Sequence, residues 1–210
     1  MPKNKFHVLV GFPKCGQVSM NHYLQQMFPG TPPRQEIGWR EDAIEIWENT
    51  LRNHVKSDLI PVFVIRDPIE RIWSAYLYLG LPNIRHFPDY LINRLYQPFG
   101  EGNPIMQSNY DKWIKPWEKF RPIVVELEEM KKNINYPKLN TTQEVKYKNE
   151  TVPEFPDHYR KLCKELLELE YKDSFWEGDY ITGVPSREAM EILKPHSPGE
   201  IRRNTYRERA

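Results

Sequence analysis

Cysteine is nearly missing. The chain has two, Cys15 and Cys163, far apart in sequence, and neither belongs to a CxxC or Cys/His spacing. That excludes a disulfide scaffold and gives no zinc signature. Charge of one sign is missing too: 30 Lys and Arg stand against 29 Asp and Glu, for a net charge of +1. No overall field therefore draws nucleic acid or an anionic membrane. No apolar run approaches the roughly 18 residues of a membrane-spanning helix, and the apolar part of MPKNKFHVLV is too short for a secretory signal. With Met1 as the native start, the chain is expected to be soluble and cytoplasmic, without a transmembrane segment. The sequons Asn140-Thr141-Thr142 and Asn149-Glu150-Thr151 carry meaning only in a secreted context. There is no internal repeat.

What is there suits one α/β domain. At 210 residues, 39% apolar and 28% charged, the chain can bury a core. Phe6–Val10 reads as a fully buried parallel strand, Leu59–Ile65 (LIPVFVI) as a second and Ile123–Leu127 (IVVEL) as a third buried strand. Helices are expected over Gln17–Phe28, Glu41–Val55, Pro68 to about Leu79, Asp89–Tyr96, Asn109–Lys119 and Asp157–Leu169. Tyr110, Trp113 and Trp117 are spaced as one stripe. The stretch Lys131–Pro156 is polar and irregular, and the C-terminal end is basic, with Arg202, Arg203, Arg207 and Arg209. Alternating strands and helices predict a central, mostly parallel sheet flanked by helices in three layers.

Two stretches carry chemistry. The first, GFPKCGQVSM (Gly11–Met20), follows the first strand and opens a helix. Strand, glycine-rich turn and helix start form the usual cradle for a phosphate or sulfate, because backbone N–H groups and the helix dipole both favour an anion there. Gly11 and Gly16 have the spacing of a Walker A loop, yet Gln17 and Val18 stand where its lysine and its magnesium-binding hydroxyl belong, and the lysine lies inside the loop as Lys14. Taken alone, the loop reads equally as a strand–helix turn without a ligand. The second stretch, VIRDPIERIWSAY (Val64–Tyr76), begins at the end of a strand. Arg66 falls at the strand's carboxyl edge, where open α/β sheets bind ligands. Ser74 lies two turns into the next helix, with Arg71 between them. An arginine and a hydroxyl converging there suit a phosphate. The plain alternative is a surface helix with an Asp-Pro start and solvated arginines.

Together, PKCG after a first strand and RDPxxRxxSxY after a later one resemble the sulfotransferases that use 3′-phosphoadenosine 5′-phosphosulfate (PAPS). In that family a loop of the form PKxGTTxL wraps the 5′-phosphosulfate, and RxPxxRxxSxY holds the 3′-phosphate through its first arginine and its serine. Asn109–Met130 and YKDSFWEG (Tyr171–Gly178) are similar to later segments of the same family, so the likeness runs from about residue 5 to 178 in the family's order. The chain departs from the pattern at Gln17 and Val18, where the family carries paired threonines, with Ser19 one place late. It also lacks the glycine-rich basic loop and the dimer signature of the cytosolic phenol and steroid enzymes, so it is closer to the carbohydrate and bacterial branch.

The resemblance implies a P-loop NTPase-like α/β fold, with residues 1–178 as the sulfotransferase domain and 179–210 as an extension that belongs to the same domain or forms a flexible basic tail. It implies PAPS as donor and adenosine 3′,5′-bisphosphate (PAP) as product, with no metal. The cofactor would be held by Pro13, Lys14, Cys15, Gly16, Gln17, Val18 and Ser19 of the loop and by Arg66 and Ser74. Lys14 would stabilise the bridging oxygen as the sulfuryl group moves in line to a hydroxyl or amine acceptor, a small molecule or glycan, most simply a carbohydrate. Members of that branch place a glutamate base just after the first helix, and PPRQEIGW (Pro32–Trp39) puts Glu36 there. His54 and His22 are the alternatives, since cytosolic members use histidine. Asn140, Thr141 and Thr142, with Lys146 and Lys148, stand where related enzymes have a cofactor-contacting loop, or form a solvated turn. Two other readings stay open: a PAP-binding protein that has lost turnover, and a P-loop kinase. Neither the acceptor nor the oligomeric state is specified by these residues.

Overall fold

The computed structural model of the chain describes residues 4–35, 37–38, 40, 42–54, 57–78, 87–95, 108–133, 151–177 and 184–196. Strands β1 (Asn4–Leu9), β2 (Ser57–Ile65) and β3 (Ile123–Glu126) form a parallel sheet in the order β1-β2-β3. Phe6 pairs with Leu59 and Leu9 with Val62 on one side of β2, and Val62 pairs with Ile123 on the other. Val10 N–H donates to Val62 O at 3.0 Å. This turns the polar groups of Val62 toward β1 and those of Pro61 away from it. Pairing with β3 starts only at Val62, so the missing N–H of Pro61 removes no ladder bond. The chain is thus an α/β protein with a parallel sheet flanked by helices.

Of the three strands in the parallel sheet, β2 alone is buried along most of its length. In β1, burial is complete from Val8 onward, while Phe6 and His7 are half-buried. The reading of IVVEL as a third buried strand is corrected: Ile123 and Val124 are 40% and 44% exposed, and β3 is an edge of the sheet among the described residues.

Helix α1 covers Gln17–Met27 and α2 covers Ala43–Asn53. Helix α3 (Pro68–Tyr78) starts as its sequence demands: Pro68 supplies a first-turn φ, and Asp67 Oδ1 accepts the Glu70 N–H at 2.9 Å. Helix α4 is Phe87–Leu95. The single helix expected over Asn109–Lys119 is divided, with α5 at Tyr110–Ile114 followed by a 3₁₀ turn at Lys115–Phe120. Pro116 is the reason, since it has no N–H to give to the preceding turn. Then come α6 (Leu127–Asn133), α7 (Asp157–Tyr171), a two-residue antiparallel ribbon of β4 (Trp176–Glu177) and β5 (Val184–Pro185), and α8 (Arg187–Leu193).

The apolar side chains gather in two clusters. One covers the sheet: Val8, Val10 and Phe63 meet Leu24 of α1, Trp47 of α2, and Trp117. The Trp117 ring stands edge-on to Phe63, with centroids 5.3 Å apart. The other joins Ile72, Trp73 and Tyr76 of α3 to α4, to Leu162 and Leu166 of α7, and to Leu193 of α8. Helix α3 therefore spends its apolar stripe on the second cluster. Its opposite stripe, Arg71, Ser74 and Tyr78, falls at i, i+3 and i+7 and is turned toward the loop that ends β1. No helix among the described residues is long and apolar enough to cross a membrane.

Candidate anion site at the end of the first two strands

The loop Gly11–Gly16 leaves the carboxyl end of β1 and enters α1. Phe12, fully buried, anchors it, with its ring centroid 5.8 Å from Phe63 and 4.9 Å from Tyr110. Lys14 (φ 64°) and Gly16 (φ 77°) both adopt the left-handed conformation. Glycine takes it freely. Lysine does not, so the surroundings must hold it there. Gly16 is the N-cap of α1, and the cap has no side-chain hydrogen bond and no acidic residue in its first turn. The first intrahelical bond is Met20 N–H to Gly16 O at 3.1 Å. The amides of Gln17, Val18 and Ser19 precede that first intrahelical bond at the head of the helix, where backbone N–H groups and the helix dipole favour an anion.

Gln17 turns inward. It is 4% exposed, and neither Nε2 nor Oε1 has a hydrogen-bond partner among the described residues. A Cβ on Gly11 would lie 3.4 Å from that Nε2 and 3.3 Å from the Val64 backbone nitrogen. The loop base therefore has little room to spare, and the amide lies in it. A buried polar group left unpaired costs on the order of 1–3 kcal/mol; an acceptor in the loop would relieve Nε2, while Oε1 calls for a donor.

Two arginines flank this loop in different settings. Arg66, just past β2, is half-buried. Its Nε is buried without a partner among the described residues, while its carbonyl accepts the Tyr110 hydroxyl at 2.8 Å. Arg71 is 1% exposed and acts as a strut. Nη1 donates to Pro13 O at 3.4 Å and Nη2 to the Ser108 hydroxyl at 3.3 Å. Tyr171 of α7 donates to Ser108 O at 3.1 Å, which ties the far end of the chain to the same point. Ser74 is half-buried on the α3 stripe between Arg71 and Tyr78. The Lys14 ammonium sits over the Tyr78 ring, 2.7 Å from its centroid.

Cys15 is wholly buried, with Sγ 3.8 Å from the Tyr110 hydroxyl. Burial pushes its thiol up against the opposing pull of Arg71 and Arg66. It is a packing residue, since the reactive form is the thiolate. The same burial pushes the Tyr110 hydroxyl well above its ordinary range.

The other candidates are distributed differently. Glu36 lies outside the described residues. Its neighbours are tied to the end of β1, with Gln35 N–H to Leu9 O at 2.7 Å and Gly38 N–H to Val10 O at 2.6 Å. His54 closes α2, and its carbonyl accepts the Ser57 N–H at 2.8 Å where β2 begins. That is the opposite end of the parallel sheet, so roughly 25 Å of strand separates it from the loop. His22 is exposed on α1 and shares a 2.9 Å bond with Gln26, as a surface residue. Neither histidine meets Lys14. Asn140, Thr141, Thr142, Lys146, Lys148 and the arginines of the tail lie outside the described residues.

Sequence reasoning missed the strut made by Arg71, the Tyr110 link and the seat of Lys14 on Tyr78. The i, i+3, i+7 spacing of Arg71, Ser74 and Tyr78, opposite the apolar stripe, was the available signal. No group of three or more His, Cys, Asp or Glu side chains among the described residues is arranged to hold a metal ion. Compared with known proteins, the chain matches no family model and no curated sequence.

Proposed function

We propose that the chain is a sulfotransferase with a P-loop NTPase-like α/β fold, moving a sulfuryl group from PAPS to a hydroxyl or amine of a small-molecule or glycan acceptor, most simply a carbohydrate. The observation that carries this is the buried Gln17 amide, without a partner among the described residues, in the loop that opens α1, next to the strand end that bears Arg66. Buried unpaired donors on two adjacent strand–helix junctions call for an acceptor of high charge.

The residues present fit such a group. The amides of Gln17, Val18 and Ser19, with Gln17 Nε2, would hold the 5′-phosphosulfate. Arg66 and Ser74 would hold the 3′-phosphate and so distinguish PAPS from ATP. Bound PAPS supplies an activated sulfuryl group whose leaving partner is a phosphate oxygen. Lys14 is the cation of the loop and would meet the charge that develops on that oxygen. Arg71 keeps the loop in register from below through Pro13 O. Glu36 would take the acceptor's proton.

A second reading, a PAP-binding protein without turnover, is favoured by Gln17 itself, whose bulk takes the place of a threonine hydroxyl. Calorimetric titration with PAP, ATP and adenosine 5′-monophosphate, without magnesium and then with it, tests the site. Binding of PAP that is lost with the 3′-phosphate supports both readings. Transfer of labelled sulfuryl from PAPS to a panel of sugars then selects the first. ATP binding that requires magnesium would defeat both in favour of a kinase.

A further inference from the structure

We propose that Tyr78 is a positioning residue for Lys14: its ring face is the resting seat of the Lys14 ammonium and competes for it with an anion in the loop. The exchange with an anion rests on the sulfotransferase reading, whereas the seat itself does not.

The geometry comes from one helix face. Arg71 and Tyr78 lie two turns apart on the same stripe of α3. Arg71 Nη1 holds the carbonyl of Pro13 at 3.4 Å, and the Tyr78 ring lies under the ammonium of the next residue, 2.7 Å from centroid to Nζ. Two consecutive loop residues are therefore fixed by two points on one rigid element. The left-handed φ of 64° at Lys14 is what lets the chain turn sharply between them. Such a φ is uncommon outside glycine and has to be held by its surroundings. The strut on one side and the ring on the other supply that hold.

The chemistry of the pair suits a resting seat. A tyrosine face attracts an ammonium through its quadrupole without neutralising it and without accepting a proton. The ring thus holds the Lys14 side chain beside the loop mouth. A charge-assisted hydrogen bond to a phosphate or sulfate oxygen is stronger than the contact with a ring. An entering anion would draw the ammonium off the ring, and that contact would be lost on binding. Removing the ring removes the competition, so anion binding should tighten.

The test follows the Lys14 methylene signals by NMR in protein carrying ¹³C-labelled lysine, assigned by their disappearance in Lys14→Arg. In the free protein the Lys14 ε-CH₂ signals should lie upfield of all other lysines because of the ring current. Tyr78→Phe, which keeps the face and removes the hydroxyl, should retain that shift. Tyr78→Leu should abolish it and bind PAP about fivefold tighter, equivalent to about 1 kcal/mol. Titration of the wild-type protein with PAP should move the signals back toward ordinary lysine positions. An ordinary Lys14 shift in the free protein, or an upfield shift that survives Tyr78→Leu, would overturn the seat. Equal or weaker PAP binding by Tyr78→Leu would overturn the competition. A Phe/Leu contrast as expected, with no calorimetric binding of PAP to any form, would uphold the seat and defeat the cofactor reading.

Discussion

Arg66 and Arg71 share one strand–helix junction, and substituting them should fail in different ways. Arg66 is half-buried, and its Nε has no partner among the described residues, so a ligand could supply one. Arg66→Ala should weaken PAP binding at least tenfold, the scale of a charge-assisted hydrogen bond, with little change in weak ATP binding or in unfolding midpoint. Equal losses for PAP and ATP would disprove the assignment of Arg66 to the 3′-phosphate. Arg71 is almost wholly enclosed, between Pro13 O and the Ser108 hydroxyl. Arg71→Ala should cost about 2–4 kcal/mol of stability in urea unfolding, because it leaves a void and strands both partners. Gly38 gives a third contrast. A Cβ there would lie 2.6 Å from Val10 O and 2.7 Å from a Phe63 ring carbon, closer than such contacts allow, with backbone on one side and a packed ring on the other. Gly38→Ala should therefore lower stability by about 1–3 kcal/mol, visible as a drop of several degrees in Tm. An unchanged Tm would mean that the segment bridging β1 and α2 moves aside freely.

At the scale of elements, what could be read from the sequence and what could not divide along physical lines. The junction at Asp67-Pro68 was legible because its causes are local: a fixed proline φ and an aspartate within reach of the Glu70 N–H. The strand–loop–helix start at Gly11–Gln17 was legible for the same reason. The exposure of β3 was not. IVVEL has the composition of a buried strand, yet burial depends on what stacks beside it, and β3 is an edge with Ile123 and Val124 open to solvent. Nor could the sequence show that Gln17 folds into the loop or that Lys14 rests on Tyr78: the spacing of Arg71 and Tyr78 puts both on one face of α3, but what that face and Gln17 meet is set by tertiary packing. The strand difference is measurable. Val64, 0% exposed on β2, should lose about 1–3 kcal/mol as Val64→Thr, because the hydroxyl enters a packed interior. Val124→Thr on β3 should change stability by no more than about 0.5 kcal/mol. Comparable losses in denaturant unfolding would mean that β3 is covered.

At the scale of the whole molecule, buried protonated acids are divided between the two apolar clusters, and this sets an alkaline limit. Burial pushes the thiols of Cys15 and Cys163 and the hydroxyl of Tyr110 upward. Cys15 and Tyr110 belong with the cluster over the sheet, and Cys163 with the cluster around α3 and α7. In the unfolded chain these groups lose protons at their ordinary values of 9.0 for the thiols and 10.0 for the tyrosine. In the folded chain they keep them. Above pH 9 the unfolded state therefore binds fewer protons than the folded state, and stability must fall as pH rises. The contribution is complete below the unfolded values and is lost progressively above them, at a limit of about 1.4 kcal/mol per pH unit for each group. The unfolding midpoint should thus be flat from pH 7 to about 8.5 and decline from pH 9 upward. Cys163→Ala should make that decline shallower, whatever its effect on the midpoint at pH 7, because one of the three groups no longer titrates. A decline equally steep in the variant would show that alkaline unfolding is driven by other groups. A flat profile through pH 10.5 would show that water reaches these side chains in the folded protein.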